Sequence, residues 1–208
     1  MSKADSLIFD MDGTLWDAVD SYAIIWNETF RAMGIDATAT RGELVHCMGM
    51  RLGDILDTIM PGNRIDRDIF LKRLATTEAT MMPSLGGILY PGVADGIKTL
   101  ASRYKLFMVS NCAALGIPNF LSYTGLTPYI TDYISNGDNG LDKADNIKLI
   151  VSRNKLTSPV YIGDTQSDAD HCASAGVEFI HAAWGFGQCN GEARSVDSFG
   201  NLVKLLTT

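Results

Sequence analysis

Five short apolar runs constrain this chain more than any other feature: Ser6 to Asp10, Lys105 to Ser110, Tyr129 to Ser135, Pro159 to Gly163 and Val177 to His181. Each is rich in Ile, Val, Phe or Tyr, the pattern of short strands buried on both faces. Helical patterns alternate with the later runs. Asp142 or Lys143 opens a helix with Ile147, Ile150 and Val151 on one face, and Ser167 opens another that Gly176 closes. Strands alternating with helices predict a parallel sheet joined by right-handed crossovers.

The interval between the first two strands breaks this rhythm. From Asp17 to about Gly87 the periodicity is helical, with helices expected over Ala18 to Met33, Gly53 to Met60 and Arg64 to Met82. Pro61-Gly62 separates the last two, and Pro83 through Gly87 reads as a linker back to the sheet. An inserted helical bundle here forms a small lobe of its own.

Composition sets outer bounds. The chain has 208 residues, 46% of them hydrophobic, enough for one α/β core and a modest extra lobe. The net charge of −7 argues against nucleic acid or an anionic membrane as partner, because both call for clustered Lys and Arg. No stretch approaches the roughly 18 apolar residues of a spanning helix. The residues before the first strand show no charged-then-apolar leader, and Cys47, Cys112, Cys172 and Cys189 lack both C-x-x-C spacing and the density of a disulfide framework. The expectation is a soluble, reduced, cytoplasmic protein, in which the sequon Asn27-Glu28-Thr29 has no meaning. No oligomeric state is assigned.

The chemistry lies at strand ends. The first strand runs into Asp10-Met11-Asp12-Gly13-Thr14, and strand alternation puts Asp10 and Asp12 on one side. Two carboxylates at the end of a buried strand need a counter-charge, usually a divalent cation with oxygen ligands. A strand-end turn with solvated aspartates is the ordinary alternative. An EF-hand is excluded, because the glycine stands at loop position four rather than six. The fourth strand ends in Gly163-Asp164, with Asp168 four residues on, where it also serves as a helix-start residue. Ligands of open parallel sheets bind beyond the carboxyl ends of the strands, which brings both acidic pairs to one edge. Ser110-Asn111 ends the second strand at that edge and is also a common turn dipeptide. Lys143 follows Asn136-Gly137-Asp138-Asn139-Gly140, a flexible loop, and opposes the helix dipole where it stands. A solvated surface lysine is its ordinary reading.

The ordered set of these residues resembles the haloacid dehalogenase-like hydrolase superfamily. Its motifs match Asp10-Met11-Asp12-Gly13-Thr14, Ser110, Lys143, and Gly163-Asp164 with Asp168, and Trp184-Gly185-Phe186-Gly187 is similar to the phosphoglycolate-phosphatase-like branch. The resemblance implies a Rossmann-like α/β core domain over 1–16 and 87–208 and a helical cap domain over 17–86. It implies a Mg2+-dependent phosphatase acting on a small phosphomonoester, with Asp10 as nucleophile through an aspartyl-phosphate and Asp12 as acid and base. Magnesium would be held by Asp10, the backbone carbonyl of Asp12, and Asp164, with Asp168 ordering its surroundings. Ser110, Asn111 and Lys143 would bind the phosphoryl oxygens. In the cap, Arg51 is the candidate reader of an anionic leaving group, or else a solvated arginine. His46, Trp184 and Phe186 are expected to pack. A β-phosphoglucomutase-like phosphomutase shares every core residue, and a non-catalytic phospholigand-binding protein is the alternative outside enzymology.

Overall fold

The computed structural model describes residues 4–191 and 193–208; Met1–Lys3 and Glu192, which fall inside the expected core segments, lie outside the described residues. The expected parallel sheet is present. Strand β1 (Ser6–Phe9) is its centre, and after it come β2 (Trp16–Asp17) and four helices, α1 (Val19–Ala32), α2 (Arg41–Val45), α3 (Leu52–Ile59) and α4 (Arg67–Leu85). The chain returns through β3 (Ile88–Leu89) and α5 (Val93–Ala101) to β4 (Lys105–Ser110), then α6 (Gly116–Thr124) and β5 (Asp132–Ser135). A short α7 (Asn136–Asn139), α8 (Lys143–Asn154), β6 (Pro159–Gly163), α9 (Gln166–Ala175), β7 (Glu178–Ala182), β8 (Arg194–Val196) and α10 (Phe199–Thr207) complete it.

The main sheet has the order β5-β4-β1-β6-β7-β8, and every neighbouring pair is parallel. This is the α/β Rossmann-like fold expected from the sequence. Alternation along each strand feeds two cores. Leu7, Phe9, Met108 and Ile162 pack on one face with Phe199 and Leu202, while Ile8, Phe107, Val109 and Tyr161 pack on the other with Ile147 and Ile150. Beyond Phe9 the backbone N–H of Asp10 still donates to the Ile162 carbonyl (2.9 Å), so the first acidic residue leaves the sheet in register with β6.

The helical insertion is tied at its neck by β2 and β3, an antiparallel pair in which Trp16 faces Leu89 and Asp17 faces Ile88. Four details differ from the sequence reading. Helix α4 runs through Pro83 to Leu85 and stops at Gly86 (φ 60°), so the expected linker from Pro83 is its last turn. Tyr129 belongs to a 3-10 turn rather than to the third strand, and the loop 136–140 is mostly a single helical turn. Strand β8 was not foreseen, because Arg194–Val196 is short and polar.

Candidate active site

The carboxyl ends of β1, β4 and β6 converge as expected. Helix α8 begins at Lys143 because Asp142 caps it, its side chain accepting from the Ala144 N–H (3.0 Å). The Lys143 side chain then runs inward, 2% exposed, rather than into solvent. Its ammonium donates to Asp10 Oδ1 (2.9 Å) and to Asp168 Oδ1 (2.7 Å), and it lies 6.0 Å from the centre of the Tyr161 ring. Helix α9 starts in a capping box between Thr165 and Asp168, so Asp168 is a cap as well as a partner of the lysine.

Asp164 is fully buried and is held from the loop after β7. Its Oδ2 accepts from the N–H of Phe186 (2.8 Å) and of Gly187 (3.3 Å), while Trp184 Nε1 donates to the Thr14 carbonyl (3.0 Å). The loop can come this close because two positions lack a side chain. A Cβ at Gly13, whose φ is +83°, would stand 2.2 Å from Asp164 Oδ2, and one at Gly185 would stand 2.3 Å from Asp164 Cβ. The packing role expected of Trp184 and Phe186 is thus joined by a polar one, which the N–H groups supply. His181, beneath the same residue, sits 3.2 Å from the Asp164 carbonyl through Nε2.

Electrostatically the cluster is overdrawn. Asp10, Asp164 and Asp168 bring their oxygens within 4.8 Å of one another, all buried. Three carboxylates against one ammonium leave an excess of two negative charges, the charge of one divalent cation, and the donors are all oxygen. Burial pushes Asp164 up to about 7, with Asp168 adding to it. Asp10 is also raised, by burial first and despite Lys143. Asp168 goes the other way: burial alone would raise it, but Lys143 and the Thr165 hydrogen bonds hold it below the usual carboxylate range. The donor set and charge fit Mg2+.

Asp12 points elsewhere. Its carboxylate accepts from Trp16 Nε1 (2.9 Å) and from the Tyr22 hydroxyl (3.2 Å), and burial with the neighbouring Asp10 pushes it up to about 7. It lines a cavity between sheet edge and helical insertion, together with Asp10, Ser110 and Asn111 from the sheet side. The opposite wall is Tyr22, Trp26, Met48 and Glu78, among others. Ser110 Oγ accepts from the Cys112 N–H (3.3 Å).

Of the residues singled out in the sequence, Asp10, Asp12, Ser110, Asn111, Lys143, Asp164 and Asp168 come together at this edge. Arg51 does not join them. It is not part of the cavity wall, and its guanidinium pairs at 2.5 Å with Asp142, the cap of the helix that carries Lys143. His171 Nε2 lies 3.1 Å from the other oxygen of Asp142. The pair joins insertion to core, as does the bond from Asn111 Nδ2 to the Gly49 carbonyl (2.8 Å). His46 is exposed at the end of α2 rather than packed. The sequence reading missed Tyr22 and Glu78. Both are helix-face residues whose spacing alone does not separate a pocket from a surface.

Fold and site together define an α/β enzyme with a buried, lysine-bridged carboxylate cluster at the carboxyl edge of its sheet. Residues 7–182 match the family model described as Haloacid dehalogenase-like hydrolase. The chain belongs to that family, and it is an enzyme, a hydrolase. It is 26% identical over 193 residues to the phosphoglycolate phosphatase of Aliivibrio fischeri, covering 86% of this chain and 84% of that protein. Among solved structures, a haloacid dehalogenase-like family hydrolase from Streptococcus pneumoniae aligns over 99% of both chains with a TM-score of 0.84 and 18% identity. CbbY from Rhodobacter sphaeroides, solved in complex with phosphate, aligns over 96% of both with a TM-score of 0.81 and 18% identity. At such identities the structural likeness establishes the fold.

Proposed function

We propose that this hydrolase is a Mg2+-dependent phosphatase that cleaves a small phosphomonoester through an aspartyl-phosphate on Asp10. The observation that carries the reading is the buried ammonium of Lys143 bridging Asp10 and Asp168 beside a cavity that Asp10 lines. A cation placed this way neutralises charge on transferring oxygens and holds the attacking carboxylate in one orientation.

In the proposed sequence an oxygen of Asp10 attacks phosphorus, forming the Asp10–phosphorus ester as the bond to the leaving oxygen breaks. Asp12, at about 7, is protonated in a substantial fraction near neutral pH and delivers its proton to that oxygen. After the alcohol departs, Asp12 takes a proton from water, which attacks phosphorus and returns Asp10 as a free carboxylate with release of phosphate. The hydrogen bonds from Trp16 and Tyr22 keep Asp12 turned toward the cavity during both transfers. Ser110 and the N–H groups after it bind the phosphoryl oxygens. Asp10, Asp164 and the Asp12 backbone carbonyl would hold Mg2+, with Asp168 beside them. The ion supplies the positive charge that lets a carboxylate approach a phosphate dianion.

In this reading residues 17–86 act as a cap over a core formed by 1–16 and 87–208, hinged at the β2–β3 neck and latched by Arg51–Asp142 and Asn111–Gly49. The cavity wall carries no His or Lys among the described residues, which favours water over a second sugar hydroxyl as acceptor. The test is phosphate release from a panel of phosphoesters with Mg2+, in wild type and Asp10→Asn. Metal-dependent turnover lost in the variant supports the reading. Turnover retained in Asp10→Asn rules out the aspartyl-phosphate.

A further inference from the structure

The cavity beside Asp10 has a peculiar set of unfilled hydrogen bonds. Glu78 projects from α4, is 4% exposed, and its Oε1 has no hydrogen-bond partner. Asn111, across the cavity on the sheet side, has the same deficiency at Oδ1. The amide orientation there is fixed by the bond that Asn111 Nδ2 makes to the Gly49 carbonyl, so the free atom is the oxygen. The Tyr22 hydroxyl has a single proton, and it is directed at Asp12. Two residues lining one cavity thus each carry a buried acceptor that no donor meets.

Buried acceptors left empty carry the desolvation penalty in full, so what fills the cavity must bring N–H or O–H groups. Charge narrows the choice. The wall contains Asp10, Asp12 and Glu78 and, among the described residues, no Lys, Arg or His. A leaving group that bears a carboxylate would place one more anion beside Glu78 and Asp12 with no cation to meet it. An ammonium would meet a carboxylate, an amide oxygen and the rings of Trp26 and Tyr22, each favourable to a cation. Size narrows it again. The free space is about 40 Å³, roughly three waters at about 10–15 Å³ each, and the phosphoryl site at Asp10 and Ser110 shares it, so a small leaving group fits better than a bulky one.

We propose that Glu78 and Asn111 select a leaving group carrying an ammonium, so that the substrate class is a small amino-alkyl phosphomonoester. This rests on the phosphatase reading and names its substrate. Burial, with Asp12 nearby, pushes Glu78 up to about 7, so its charged form is disfavoured in the empty cavity and a cation beside it would restore the charge.

The experiment compares 2-aminoethyl phosphate with 2-hydroxyethyl phosphate and carboxymethyl phosphate, with acetyl phosphate as a reference that has none of these groups. Turnover of the Mg2+-loaded enzyme is measured in wild type and in Glu78→Gln. The expected result is a kcat/KM for the amine at least about tenfold above both analogues, with the ratio of amine to analogues falling to about one in Glu78→Gln, whatever that variant's turnover of acetyl phosphate. Equal or higher values for the hydroxyl or carboxyl analogue in wild type overturn the proposal. Binding of the same three esters to Asp10→Asn by calorimetry separates this from the parent reading. If acetyl phosphate is not hydrolysed but the amine still binds about tenfold tighter, and does so only with Glu78 present, the phosphatase reading fails and the selection by Glu78 stands. If binding shows no preference, the selection fails whatever the turnover.

Discussion

The two walls of the cavity are opposites. On and just behind the sheet side every carboxylate has a hydrogen-bond donor, even where charge is left in excess: Asp168 and Asp10 have Lys143, Asp164 two backbone N–H groups, Asp12 Trp16 and Tyr22. On the helical side Glu78 is buried at 4% exposure with an oxygen unanswered. A satisfied polar network rigidifies the groups that do chemistry, whereas an unsatisfied one stores affinity for a ligand that completes it. In the proposed function the sheet wall is the reaction site and the helical wall the recognition site.

The largest effect expected from breaking this comparison is on chemistry. Asp10→Asn should lower kcat by at least about 10³-fold, read as phosphate release, while leaving the fold intact by circular dichroism. Next, Lys143→Met removes the cation behind the sheet wall and leaves the buried Asp10 and Asp168 carboxylates without it. It should cost about 3–5 kcal/mol of stability in the metal-free protein, measured by urea unfolding. An unchanged midpoint would mean that Lys143 is not the counter-charge.

The excess charge on the sheet wall gives a pH prediction. Asp12 and Asp164 sit near 7 in the folded protein, against an ordinary unfolded value of about 3.9. Between these values the folded state holds protons the unfolded state has lost. Metal-free stability is therefore greatest below about pH 4 as far as these groups go, and declines as pH rises through about 7. Added Mg2+ should raise the melting temperature more at pH 8 than at pH 5.5; an equal rise at both would contradict the charge excess.

The helical wall should respond with the opposite sign. Glu78→Gln removes a charge that burial penalises, so it should stabilise the ligand-free protein by about 1–3 kcal/mol at pH 8 and by little at pH 5. The smallest effect belongs to Arg51→Ala. The Arg51–Asp142 pair is exposed at 45% and 38%, so its loss should cost less than about 1 kcal/mol. A latch should raise KM for all substrates alike, whereas selective loss on acidic esters would restore Arg51 as a reader of anions.

The sheet was legible because strands buried on both faces must be apolar runs, and the runs at Ser6, Lys105 and Pro159 are among the most buried segments of the chain. The candidate site residues were legible for a related reason. Asp10, Ser110 and Asp164 stand directly at the ends of those runs, so their place in space follows from their place in sequence. Lys143 was harder, since nothing local shows that a lysine on the first turn of a helix will turn inward. Its burial follows from Asp10 and Asp168, which are far from it in sequence.

The helical wall was mostly illegible. Arg51 stands beside glycines that suggested a substrate-facing loop, yet the tertiary structure brings Asp142 to it first. Glu78 lies on a helix of low amphipathic contrast, where a glutamate looks like any solvated one until α1 and the sheet edge close over it. The grip of Trp184-Gly185-Phe186-Gly187 on Asp164 likewise needed Gly13, from the far end of the chain, beside its own Gly185 to let the segments come this close. Sequence alone determined the elements, their order and the reactive edge, because local periodicity and strand ends encode them. Tertiary structure alone decided which charges are answered and which are left open, because that depends on groups brought together from distant parts of the chain.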